Sequence, residues 1–234
     1  MSISEILPRN AILASLPTAD LNRIRPYITS RSLVRGAVLH VPEAPVETLY
    51  FIERGLVTLE VPLDQVKFVE RASVAHDGVT GASAFLGTRA SVDRAVVRVA
   101  GMAYGISASV LADVVVDCSA MRRALGDYVS RLDGQTARNL ACMSRHSSEQ
   151  RLARWLLTAS RHGDAGAITT THADLASLLG VRRSTVSVLA ARWRRTGVIN
   201  STRTKLSVRD AEALGRLTCM CTQGDIAESP AATI

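Results

Sequence analysis

Arg182, Arg183 and Ser184 stand side by side in the 234-residue sequence, followed at helical spacing by Ser187 and Val188. Guanidinium and hydroxyl donors at the start of a helix suit phosphate oxygens and the acceptor edges of bases. The flanking pattern supports that chemistry. Leu175, Ala176 and Leu179 make the inner stripe of one helix, from about His172 to Leu179, and Val186, Leu189, Ala190 and Trp193 make that of a second over 182–195. Gly180 between them allows the positive φ of a tight turn, and Val181 anchors it. This is helix-turn-helix spacing, and its outward face is the one that enters a major groove. Thr170, Thr171 and the N-terminus of the first helix are placed to meet phosphates. Val198-Ile199 and Leu206 to Val208 read as short strands around a polar turn, Asn200 to Lys205, a wing whose Arg203 and Lys205 add phosphate contacts.

Charge agrees with this placement. Twelve basic and three acidic residues lie between Arg145 and Arg209, a local excess of +9 in a chain whose total is +7, so the rest is slightly acidic. A block so biased points to a polyanion, with double-stranded DNA first and an anionic membrane surface second.

Cysteine is the other residue type that could carry chemistry. Cys118, Cys142, Cys219 and Cys221 all fall in the second half of a chain that starts without a signal-peptide pattern, which predicts reduced thiols in the cytoplasm. Cys219-x-Cys221 could hold a metal or respond to oxidation, but no second pair or histidine cluster lies near it in the sequence, so neither metal nor cofactor is expected. No apolar run reaches the roughly 18 residues of a membrane span.

The elements that must carry these residues follow from pattern. Ile12, Leu13, Leu16, Leu21 and Ile24 mark short helices broken at Pro17 and closed at Pro26. From Ser32 to Ser107 short apolar runs alternate with turn residues, with strands at Ala37 to Val41, Thr48 to Ile52, Leu56 to Val61, Val66 to Val69 and Ala95 to Val99, and a break at Arg54-Gly55. That texture predicts a small antiparallel barrel or roll. A long helix then runs from about Ser119 to Arg145, where Leu125, Val129, Leu132, Thr136, Asn139 and Met143 repeat every 3.5 residues, which reads as the seam of a homodimer, the alternative being a stripe that packs on the first domain. Ser147 with Gln150 caps the next helix, which runs to Arg161. The expected fold class is α+β, with an effector-sensing roll at 1–118, a dimerisation helix at 119–146 and a winged helix-turn-helix at 147–234.

In this order the chain resembles the Crp/Fnr transcription regulators. The resemblance rests on Arg151-Leu-Ala-Arg-Trp-Leu-Leu157, Leu175 to Val186 and Gly197-Val-Ile199. Gly36, Leu49-Tyr-Phe-Ile52 with Gly55, and Gly81 with Phe85-Leu86 ahead of Arg94-Ala95 carry it in the N-terminal part. Ala141-Cys142 to His146 and Cys219-x-Cys221 look like a subfamily of these regulators. The resemblance implies a cyclic-nucleotide-binding-like roll, a double-stranded β-helix, and RNA polymerase as a partner. It also implies that Arg183 reads a guanine, while Ser184 and Val188 replace the acidic residue and the arginine common at those positions.

Relatives that bind cyclic AMP use a Gly-Glu-Leu turn and an Arg-Ser/Ala step. Here the turn reads Gly81-Ala82-Ser83, so the ribose-binding glutamate is missing although Arg94-Ala95 remains. Thr136 could meet a base. The small-molecule effector is therefore open, and a cyclic-nucleotide-responsive regulator is one alternative. His40 and His76 are the only histidines of the roll that could hold haem, and both read as surface or loop positions. Enzyme chemistry is not expected, because the roll lacks a His/His/Glu cluster and no serine sits in a nucleophile elbow. The remaining rival is a ligand- or protein-binding module without DNA affinity.

Overall fold

The computed structural model describes residues 8–64, 67–87, 90–163, 166–202 and 204–221. The chain divides into two units, one of residues 1–61 and 73–133, the other of residues 62–72 and 134–234.

From the N-terminus, α1 (Ala11–Ala14) and α2 (Thr18–Ile24) precede β1 (Thr29–Leu33), β2 (Val38–His40), β3 (Thr48–Pro62), β4 (Phe68–Val74), β5 (Val79–Thr80), β6 (Arg94–Ser107) and α3 (Ala108–Asp117), all of the first unit except Pro62 of β3 and residues 68–72 of β4. The six strands form one sheet in the order β1-β6-β3-β4, with β2 added to β6 and β5 to β3. β6 takes β1 along Gly101–Gly105 and β2 at Ala95 and Val96, while β3 follows it antiparallel from Arg94 to Ser107.

The expected break at Arg54-Gly55 is not a turn. β3 runs through it as one strand, and its register against β6 shifts three times between Ile52 and Val57. Gly55 has φ +97°, and a Cβ at the facing Gly101 would lie 2.0 Å from the Arg54 carbonyl oxygen. Two glycines opposite each other let the strands touch and bulge where one glycine alone reads as a turn.

Leu49, Phe51, Tyr104 and Ile106 of the sheet pack with Ile12, Leu13, Leu21 and Ile24, with Leu111 and Val115, and with Met121, Leu125 and Tyr128 of α4 (Ser119–Arg145). Leu125, expected in a dimer seam, is therefore 0% exposed inside its own chain, and Val129 and Leu132 pack beside it. A 3.5-residue repeat marks a buried stripe without saying what buries it.

Asn10 is buried with every polar atom used. Its amide donates to the carbonyls of Ile52 (3.0 Å) and Gly78 (2.8 Å), its oxygen accepts from the Leu13 N–H, and its own N–H reaches Glu53. His40 corrects the surface reading: it is buried on β2, with Nε2 2.8 Å from Asp93, which also accepts from Ser91.

The second unit holds the end of α4, then α5 (Ser148–Ser160), β7 (Ala167–Thr169), α6 (His172–Leu179), α7 (Arg183–Arg195), β8 (Ile199–Ser201), β9 (Lys205–Val208) and α8 (Ala211–Arg216). Ser147 and Gln150 close the expected capping box on α5. The strands pair β7-β9-β8, and β8 and β9 reach further into the polar segment than expected, through Ser201 and Lys205. Residues 62–72 cluster here as well. Asn139 Nδ2 donates to the Arg71 carbonyl (2.8 Å), and Arg71 Nη1 donates to Thr136 Oγ1 (3.1 Å). Both polar seam residues are thus engaged within the chain, whereas Leu140 on the same helix is 71% exposed and Met143 42%.

The four cysteines are free of disulfides. Burial and the neighbouring Cys219 push the Cys142 thiol up to about 12, far from its reactive form. No helix among the described residues is long and apolar enough to cross a membrane.

Gly101→Ala forces a methyl into the Arg54 carbonyl, and overpacking of this kind costs about 1–3 kcal/mol. Urea unfolding of the variant is expected to show a lowered midpoint with an unchanged slope. An unchanged midpoint would mean the two strands separate there without cost.

Candidate nucleic-acid interface

α6 begins with a capping box in which the Thr171 hydroxyl accepts from the Asp174 N–H (3.1 Å) and Asp174 returns a bond to the Thr171 N–H (3.1 Å). It ends at Gly180, whose φ of +62° places it in the left-handed region, and Val181 N–H closes the cap on the Ala176 carbonyl (2.9 Å). Arg151 of α5 donates to the carbonyl of Leu179 (2.9 Å), one of the acceptors a helix end leaves without an intrahelical partner. The turn is thus held from within and from α5.

Past the turn, α7 buries Val186, Leu189, Ala190 and Trp193 against Leu175, Ala176, Leu178 and Leu179 of α6 and the apolar face of α5. Trp193 Nε1 donates to Glu149 of α5 (3.2 Å), and the same carboxylate pairs with Arg192. With this face inward, the opposite face is in water. Arg182, Arg183 and Ser184 are exposed in the first turn, and Val188, one turn on, is 67% exposed. The free N–H groups and positive dipole end of α7 coincide with the two arginines, which makes this corner attractive to anions.

The other expected contacts divide. Lys205 is exposed at the start of β9. Arg203 lies outside the described residues. Thr171 spends its acceptor on the α6 cap and is half-buried. Thr170 is 8% exposed, with its N–H bonded to the Thr204 carbonyl (2.9 Å), so its side chain is largely buried. The β7-β9 pairing that seats it could not be read from one sequence window.

Sequence reasoning missed His172. Its Nδ1 lies 3.0 Å from Ser187 Oγ, and its pKa is lowered first by burial and then by the charge of Arg183. The imidazole is therefore neutral at neutral pH and sits among the groups expected to touch DNA. Only its position at the start of α6 could have drawn attention to it. Arg192, Arg194 and Arg195 close α7 with further exposed charge, and Arg192 is the one tied to Glu149.

The residues expected to bind an effector are arranged differently from the cyclic AMP pattern. Gly81, at φ +77°, caps the short 3-10 turn Ala82–Leu86, which contains Ala82 and Ser83, and Ala95 is fully buried on β6. Arg94 donates through Nε (3.0 Å) and Nη2 (2.9 Å) to Glu60, a carboxylate buried in β3. Glu60 also takes Arg98 and the Thr58 hydroxyl. The arginine that would hold a cyclic phosphate thus has an anion supplied by its own chain. Thr136 belongs to the other unit, where Arg71 uses it.

Residues 150–217 match the Crp-like helix-turn-helix domain. No curated protein matches the sequence. Among solved structures, a regulator from Eubacterium rectale assigned to the Crp/Fnr family superposes with a TM-score of 0.66 at 16% identity, over 89% of this chain and 98% of that one. FixK2 from Bradyrhizobium japonicum gives 0.65 at 18% identity, over 82% of this chain and 98% of that one. A CRP/FNR-family transcriptional regulator from Thermus thermophilus gives 0.63 at 22% identity, over 81% of this chain and 97% of that one. Residues 150–217 thus form a Crp-like helix-turn-helix domain, and the chain as a whole shares the fold of these Crp/Fnr-family structures.

Proposed function

We propose that the protein acts in the cytoplasm as a homodimer on a near-palindromic operator, reading each half-site with α7 and contacting phosphates with Arg182, Lys205 and the wing. The observation that carries this reading is the two-faced character of α7, with Trp193 and Val186 buried and Arg182, Arg183, Ser184 and Val188 in water. Exposed Leu140 and Met143 on α4 support self-association of that helix. Two-fold symmetry sets half-sites one helical turn apart, about 34–36 Å. Arg183 reads guanine through two donors, and Val188 offers a methyl-sized apolar contact where a thymine methyl would fit. RNA polymerase is the partner through which such binding alters transcription, and a small molecule in the roll is the switch.

Selection of binding sites from random duplexes, followed by fluorescence anisotropy, tests this. The expected product is a palindrome. Arg183→Ala should lose about 10–100-fold in affinity for it, the equivalent of about 1–3 kcal/mol, with most of the loss at one base position. Enrichment of a single half-site, or of nothing, would overturn the dimeric reading.

A phosphate brought near His172 favours its proton, so binding takes one up. Affinity at constant ionic strength should therefore rise as the pH falls from about 7 to about 5, and His172→Gln should flatten that rise. A flat profile in the unsubstituted protein would remove His172 from the interface.

The engagement of Arg94 by Glu60 disfavours the cyclic-nucleotide alternative. Millimolar cyclic AMP is expected to leave operator affinity unchanged and to give no heat in calorimetry. A saturable heat would restore that alternative.

A further inference from the structure

Cys142 and His146 lie four residues apart at the end of α4, so they share a face of the helix and its exit. Cys219 and Cys221 follow α8, and the fold returns that segment to the same place. Cys142 Sγ is 3.5 Å from Cys219 Sγ, and Cys221 Sγ is 3.6 Å from His146 Nδ1. The ligand atoms of all four residues lie within 4.8 Å of one another. The histidine and third thiol that the sequence does not place beside the C-x-C pair are therefore supplied in space by the end of a helix more than 70 residues upstream.

We propose that these four side chains form a zinc site of Cys3His type that ties the segment after α8 to the end of α4. The spacing suits a single ion. Zinc sits about 2.3 Å from sulfur and about 2.0–2.1 Å from imidazole nitrogen, which puts tetrahedral sulfurs about 3.8 Å apart. Two of the thiols are nearly shut off from water, Cys142 at 2% and Cys219 at 5% exposure, while Cys221 and His146 are half-buried and give an entry path. Three thiolates and one neutral imidazole around Zn²⁺ leave one negative charge, and the guanidinium of Arg154, itself buried, lies against Cys142 to offset it. Loading releases the thiol protons to solvent and changes no oxidation state. All four ligands are complete within one chain, so the position fits a structural ion with no open coordination site.

The test uses the full chain, purified under reducing conditions without a polyhistidine tag. Elemental analysis is expected to find one zinc per chain. After removal of the metal, Co²⁺ alone should produce the visible absorption of tetrahedral cobalt together with a near-ultraviolet thiolate band. Cys219→Ser/Cys221→Ser should lose both the zinc and the thiolate band. His146→Gln, at a half-buried position that tolerates change, should keep its far-ultraviolet circular dichroism and weaken zinc binding at least about 10-fold in competition with a chromophoric chelator. Substoichiometric zinc with no tetrahedral cobalt spectrum in the unsubstituted protein would overturn the proposal. So would zinc retained by the double variant, or a Cys142–Cys219 disulfide, two mass units lighter, in place of the metal.

Discussion

The hydrogen bond from Trp193 to Glu149 fixes which way α7 faces. The indole is buried, its only donor is spent on α5, and the same carboxylate holds Arg192 in the neighbouring position. A hydrogen bond to a charged acceptor contributes about 1.5–3 kcal/mol, and the partial exposure of Glu149 puts this one toward the lower end. At 3.6 residues per turn, anchoring Trp193 on α5 sends Ser184 and Val188 to the far side of the helix. The left-handed cap at Gly180 and the Arg151 bond to Leu179 hold the preceding turn, so α7 has little freedom to roll. The exposed face of α7 thus rests on a buried, apolar back face.

Signals confined to a few residues were legible in the sequence. Ser147 with Gln150, Gly180, Gly197 and the apolar stripes of α6 and α7 each announce a local geometry that no distant contact overrides. The ends of α4 at Ser119 and Arg145 are of the same kind. What the sequence left open was what lies across a gap in the chain. Gly55 looks like a turn until Gly101 faces it, and Leu125 looks like a dimer contact until the roll covers it. Thr170 looks available for phosphate until β9 pairs beside it, and Cys219-x-Cys221 looks isolated until α4 supplies Cys142 and His146.

The roll follows the same logic in its electrostatics. Arg94 presents a cation at the start of β6, yet Glu60 is buried against it and takes Arg98 as well. Two guanidiniums around one carboxylate leave a net positive charge, but a buried acid so placed lowers the field any incoming anion would feel. An anion brought to Arg94 would meet that carboxylate already in place, so a hydrogen-bond donor suits this spot better than a bare phosphate.

Asn10 carries a consequence for how the chain is made. Its side chain joins carbonyls 42 and 68 residues further along, and its own N–H leans on Glu53. None of those partners exists when residue 10 leaves the ribosome. The first segment must therefore stay solvated while β3 and the turn at Gly78 are synthesised, and it docks only afterwards, sealing α1 onto the sheet as a late event of cotranslational folding.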